Sequence, residues 1–132
     1  MEKSKTKTRD ILFFSKKNNR MMCVHTEQAR EYAQRLEDSE DIACYEVNVT
    51  LDKSRYLNVS QVDIRKEYFQ IQWMTDFLLH YQNGQTGVRE LSDKRALQKR
   101  AVAERLEFSR RFWEASNVYD WKVVIVNFGG AE

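Results

Sequence analysis

Residues Leu91–Trp113 read LSDKRALQKRAVAERLEFSRRFW, and between Lys94 and Arg111 they carry seven cations and two acids. At 100° per residue, Leu97, Ala101, Phe108 and Phe112 fall within about 60° of one another, and Val102, Leu106 and Trp113 form a second stripe roughly 120° away. The spacing predicts a helix over 91–113, capped by Ser92, with a broad buried face. Lys99, Arg100, Glu107, Arg110 and Arg111 fall on the opposite side. Their four cations stand in two pairs about three turns, or ~16 Å, apart. Such a face suits phosphates or an acidic protein surface; it equally suits a solvated surface paired with Glu104 and Glu107. Arg105 lies between the apolar stripes with Gln98 and Ser109. A guanidinium there must snorkel or find a partner. It is either half of a buried ion pair or an anchoring Arg in a cleft.

Downstream, Asp120–Phe128 reads as a strand whose β-branched run Val123-Val124-Ile125-Val126 suits a two-sided, central position, with Gly129-Gly130 closing the fold. Upstream, Ser60 is placed to cap a long helix over 61–81. Phe69, Trp73, Phe77 and Tyr81 recur every four residues, and Ile64, Tyr68, Ile71 and Leu78 widen the stripe. Asn83-Gly84 suits the end of that helix, leaving Gln85–Val88 as a loop. Ala43–Val49 alternates as a half-buried strand does, and Arg55–Val59 reads as a shorter one. Thr26 begins a helix whose face is Ala29, Tyr32, Ala33 and Leu36, and the acidic run Glu37–Asp41 stops it. Ile11–Phe14 and Arg20–Val24 read as two strands around a Lys16–Arg20 turn. The expected fold is α+β, a small mixed or antiparallel sheet of four to five strands packed against three helices. Residues 1–9 are expected to form a basic tail and 10–132 a single domain.

The totals narrow the function classes. Of 132 residues, 42% are hydrophobic and 32% charged, and no apolar run approaches the ~20 residues a membrane helix needs. The charged first ten residues lack a signal-peptide h-region. Two cysteines do not make a disulfide framework, so a reducing, cytoplasmic setting is expected. The net charge of +2 is unevenly spread: 1–20 carries seven cations and two acids, 26–52 two and eight. That polarity can steer an oppositely charged partner.

Catalytic motifs are sparse. Cys23-x-His25, with Cys44 and His80, contains ligand types for zinc, but neither CxxC nor HxxxH occurs, and both cysteines read as core residues. Cys23 and His25 share a strand face without a third group to orient them. Gly84, Gly87, Gly129 and Gly130 form no phosphate-binding loop. No cofactor and no metal site are expected.

Several segments in order nevertheless resemble small bacterial and phage ADP-ribosyltransferase-like domains: DILFFS at 10–15, MCVHTEQAREYA at 22–33, YEVNVTL at 45–51 and YDWKVVIVN at 119–127. That resemblance implies an ADP-ribosyltransferase-like enzyme or a degenerate NAD-binding relative, with Ser15 and Tyr32 carried over to the pocket. The chain departs from the family where Phe13-Phe14 stand in place of an Arg or a His-Gly, and where only Glu132 follows the last strand. The function expected from the residues themselves is a non-enzymatic binding protein, of the kind a phage-type inhibitor or regulator is. It would meet an acidic protein surface or a nucleic acid, and no membrane, through Lys99, Arg100, Arg110 and Arg111, with Arg105 as an anchor.

Overall fold

The computed structural model describes residues 9–118 and 120–127. It has six strands and two α-helices: β1 (Ile11–Ser15), β2 (Arg20–Val24), α1 (Glu27–Glu37), β3 (Ile42–Thr50), β4 (Met74–Tyr81), β5 (Thr86–Ser92), α2 (Arg100–Ala115) and β6 (Asp120–Ile125), with 3-10 turns at Lys53–Asn58, Lys66–Gln70 and Ala96–Gln98. β1 and β2 form a hairpin of their own, and the remaining strands form a mixed sheet in the order β3-β4-β5-β6. β4 runs antiparallel to both β3 and β5. β6 returns parallel to β5 after the α2 crossover, as a parallel pair requires. The fold is α+β, as expected.

Two apolar cores lie on the sheet. One gathers Phe13, Met22 and Val24 of the hairpin and Ala33 and Leu36 of α1 over Tyr45, Phe77, Leu79 and Leu91. The other gathers Phe108, Phe112 and Trp113 of α2 with Leu51, Tyr56, Val59 and Ile64 over Val88. Thr26 caps α1 by accepting the Ala29 N–H at 3.0 Å. α2 closes on Asn117 at φ +69, with the Val118 N–H returning to the Trp113 carbonyl at 2.9 Å. No helix among the described residues is long and apolar enough to cross a membrane.

The structure corrects several boundaries. The long helix over 61–81 does not form: Lys66–Gln70 is a 3-10 turn and Met74–Tyr81 is strand β4. A four-residue spacing is a multiple of the strand period and near the helix period, so Phe69, Trp73, Phe77 and Tyr81 fit both. Thr75 and Leu79, buried beside Phe77, show which period operates. Asn83-Gly84 is therefore the tip of a β4–β5 hairpin, where Gly84 takes φ +88 and donates its N–H to the Tyr81 carbonyl at 3.0 Å. The expected loop Gln85–Val88 lies largely inside β5. Leu91 and Ser92 pair with Val124 and Ile125 of β6, so α2 begins only at Arg100. Ser92 is not its cap. Arg55–Val59 falls within and beside the Lys53–Asn58 turn, with Asp52 accepting the Ser54 N–H at 3.0 Å. The last strand ends at Ile125, while Tyr119, Phe128, Gly129-Gly130 and Glu132 lie outside the described residues.

Of the expected basic tail, residues 1–8 also lie outside them, whereas Arg9 extends the hairpin by donating its N–H to the His25 carbonyl at 3.4 Å. The hairpin buries Phe13, Met22 and Val24 and leaves Leu12, Phe14 and Met21 on its outer face, all more than half exposed. Within the described residues, β1 pairs with β2 alone.

Candidate functional site

The β4–β5 ladder runs from His80 opposite Thr86 to Phe77 opposite Arg89 and stops there. The next pair, Asp76 and Glu90, fills the gap with side chains. The Asp76 N–H donates to Glu90 Oε1 at 3.2 Å, and the Leu91 N–H donates to Asp76 Oδ2 at 2.7 Å. Each acid thus accepts an N–H from the opposite strand, and the two strands fork around a carboxylate pair.

Three elements roof the fork. Glu90 Oε2 accepts the hydroxyls of Thr75 at 2.9 Å and Ser109 of α2 at 2.6 Å. Trp113 Nε1 donates to the Thr75 hydroxyl at 2.7 Å, and Trp121 Nε1 of β6 donates to the Ser109 hydroxyl at 3.0 Å. Glu90 has no exposed surface, while Asp76 is half-buried. Burial, then the neighbouring Asp76 charge, pushes the Glu90 carboxyl up to about 7 despite its hydrogen bonds. Burial also raises Asp76, opposed by the Leu91 N–H and the charge of Arg105. Two carboxyl groups this close resist simultaneous ionisation. A shared proton or a cation relieves them.

Arg105 lies within electrostatic reach of Asp76, whose carboxyl its charge lowers, with no ion pair inside 4 Å among the described residues. Lys94, Arg95 and Lys99 lie between the fork end of β5 and the start of α2. All three are exposed, and none has an ion-pair partner among the described residues.

The outward cations behave differently. Arg100 donates to Glu104 at 2.7 Å, and Glu104 also accepts the Arg65 backbone N–H and side chain at 3.1 and 3.2 Å. Arg110 bonds Glu107 at 2.7 and 2.9 Å and Glu114 at 3.1 Å. Arg111 bonds Glu107 at 2.7 Å and the Ser60 and Val62 carbonyls at 2.9 and 2.7 Å. The hydrogen bond from Arg110 leads the causes that take the Glu107 carboxyl down to about 2. Of the four outward cations, only Lys99 is uncommitted. Ser15 is fully buried and donates to Glu37, while Tyr32 packs on Phe77 with ring centroids 5.2 Å apart. Both side chains take part in the packing of the hairpin and α1.

Next to Glu90, mid-strand Arg89 donates to Tyr81 and Asp120, each at 3.0 Å, and Tyr81 donates to Asp120. Gly87 admits this trio: a Cβ there would meet the Tyr81 ring at 3.0 Å and the Asp120 carbonyl at 3.1 Å. Tyr81 and Asp120 line a cleft of about 870 Å³ with Asp41, Asn83 and Asn117. The charges there satisfy one another, unlike those at the fork.

No protein-family model and no curated protein matches the chain.

Proposed function

We propose that the chain is a divalent-cation-dependent enzyme that hydrolyses phosphodiester bonds of a nucleic acid at the Asp76–Glu90 fork. The observation that carries this is the buried pair of like-charged side chains where two central strands part. Burial raises both carboxyls, Glu90 further under the Asp76 charge, and strongly perturbed carboxyls of this kind concentrate at functional sites. A small hard cation such as Mg²⁺ is commonly held by one or two carboxylates together with substrate phosphates, which is the donor set Asp76 and Glu90 offer. Such an ion supplies a polarised phosphoryl oxygen and a more acidic water. Hydrolysis adds the water oxygen to phosphorus and returns a proton to the departing sugar oxygen. Asp76, half-exposed, is the carboxylate at the mouth of the fork, and Glu90 holds the inner position, fixed by Thr75 and Ser109. Arg105 is placed to offset negative charge building on the phosphoryl group, and Lys94, Arg95 and Lys99 to hold the flanking phosphates.

The test pairs cation binding with cleavage. Calorimetry with Mn²⁺ and incubation with DNA and RNA are compared for the parent protein, Asp76→Asn and Glu90→Gln. Both variants should lose cation binding at the fork and about 100-fold or more of the cleavage rate, with an unchanged helical spectrum. Failure of the parent to bind millimolar Mn²⁺, or cleavage that survives both substitutions, would overturn the proposal.

A second, non-catalytic reading keeps the same partner chemistry: a binding protein, inhibitor or regulator that contacts a nucleic acid or an acidic protein through the basic side of α2. The uncommitted Lys94, Arg95 and Lys99 favour it. Replacing Lys94, Arg95 and Lys99 by Glu should then weaken binding strongly while leaving cation binding at the fork intact, and adding the acid-paired Arg100, Arg110 and Arg111 to the set should deepen the loss.

A further inference from the structure

We propose that Asp10, Cys23 and His25 form a second metal site, distinct in chemistry from the fork and independent of it, that takes a zinc-class transition-metal ion. The hairpin creates the juxtaposition. β1 and β2 pair in register up to Ile11 opposite Val24, and the Arg9 N–H donates to the His25 carbonyl beyond that pair. Asp10 and His25 therefore arrive opposite each other at the open end. Cys23, two residues before His25, shares its strand face.

The distances suit a single ion. His25 Nδ1 lies 3.3 Å from Asp10 Oδ1. Metal–nitrogen and metal–oxygen bonds of about 2.1 Å at a tetrahedral angle place two such ligand atoms about 3.4 Å apart. The Asp10–His25 edge is thus already formed. The three ligand atoms, Cys23 Sγ included, lie within 4.8 Å of one another. The matching sulfur edges are about 3.6 Å, so a side-chain rotation closing about 1 Å completes the set.

The ligand types decide the class of ion. A thiol and an imidazole select zinc and its neighbours over magnesium or calcium, which prefer all-oxygen sites. Packing gives Cys23 no comparable explanation. It is absent from both apolar cores, and it sits on the outer hairpin face across from Leu12, which is 65% exposed. Among the described residues the sulfur's hydrogen-bond contact is a weak one, 3.7 Å to the adjoining Val24 carbonyl. The backbone beneath it is fixed, with Asn48 Nδ2 donating to the Cys23 carbonyl at 3.3 Å. Three protein ligands leave a fourth position toward solvent, the arrangement of an open site that carries water or an exchangeable ligand.

Cobalt(II) tests the assignment on the full, untagged chain kept reduced. One equivalent should give the tetrahedral visible bands together with the near-ultraviolet thiolate-to-cobalt charge-transfer band, and zinc should bleach both. Cys23→Ser should abolish the charge-transfer band, and His25→Ala and Asp10→Asn should each weaken cobalt binding at least about tenfold. Cys44→Ser and Glu90→Gln should leave the band intact, which separates this site from the other thiol and from the fork. Thermal melts of each variant check that the fold survives. No thiolate band at millimolar cobalt, or a band that persists in a folded Cys23→Ser protein, would sink the proposal.

Discussion

Glu90 is the residue at which the fold and the proposed chemistry oppose each other. Its carboxyl titrates near 7 in the folded chain because burial and the Asp76 charge disfavour the ionised form, whereas an unfolded Glu titrates near 4.3. The native state therefore holds more protons than the unfolded one between those limits. By linkage, this residue's contribution to stability falls as pH rises from about 4.5 through 7. Glu90→Gln keeps an oxygen acceptor for Thr75 and Ser109 and removes the charge. It should melt higher than the parent at pH 8 and show little difference at pH 4.5; a melt series across that range would expose the opposite trend at once. Glu37 is the counterpart. Burial raises it, but hydrogen bonds from Ser15, Tyr45 and the Lys17 and Lys16 backbone outweigh burial and hold it below its ordinary range. Its stabilising contribution is present above about 4.5 and is lost as pH falls through the depressed value. The two acids thus tilt the pH profile in opposite directions on opposite sides of the sheet. Glu90 was not visible as a site in the sequence, because Arg89-Glu90 sat next to an expected loop. One clue was there: paired positions of β4 and β5 are equidistant from Asn83, and Asp76 and Glu90 are equidistant too.

At the scale of elements, α2 shows which properties of a helix are legible in sequence. Its buried stripe was over the last three turns, where Leu106, Phe108, Phe112 and Trp113 are all buried, but not at its start, where Ala101 is exposed and Leu97 precedes the helix. Its start was not, because the parallel pairing of Leu91 and Ser92 with β6 is a long-range contact that no local spacing reports. The state of its charges was legible as one of two readings, the one in which Glu104 and Glu107 pair with the outward cations. Glu104 and Glu107, weighed in the sequence as partners for the outward cations, bind four arginines between them, Arg65, Arg100, Arg110 and Arg111, and Lys94, Arg95 and Lys99 are left exposed and without an ion pair among the described residues. Glu107→Ala measures the cost of this neutralisation. Pairs of this kind are worth about 0.3–0.5 kcal/mol each, so chemical denaturation should show a loss of about 1 kcal/mol. The freed Arg110 and Arg111 should at the same time tighten nucleic-acid binding and steepen its salt dependence. A tighter complex without a steeper salt slope would mean that these arginines do not meet phosphate. β4 was lost for a different reason, the coincidence of periods at four-residue spacing, and with it went the fork, since the β4–β5 pairing sets the two acids opposite each other.

For the whole molecule, a sheet with a crossover helix on one side and a helix and hairpin on the other leaves one apolar surface uncovered among the described residues. Leu12, Phe14 and Met21 make the outer hairpin face apolar, and β1 ends the hairpin as an edge. What stands guard is the turn, where Lys16 and Arg20 are exposed. Exposed charge next to an apolar strand edge is a familiar defence against strand-to-strand association. With a net charge of only +2, the chain has little overall repulsion in reserve, so its colloidal behaviour rests on this local defence. Salt shortens the reach of those charges from about 10 Å at 0.1 M to about 3 Å at 1 M. Light scattering should therefore show self-association growing with ionic strength, the reverse of what a charge-paired interface does, and Leu12→Lys should keep the protein monodisperse throughout. The hairpin turn would then set the upper limit of concentration at which this chain stays in solution.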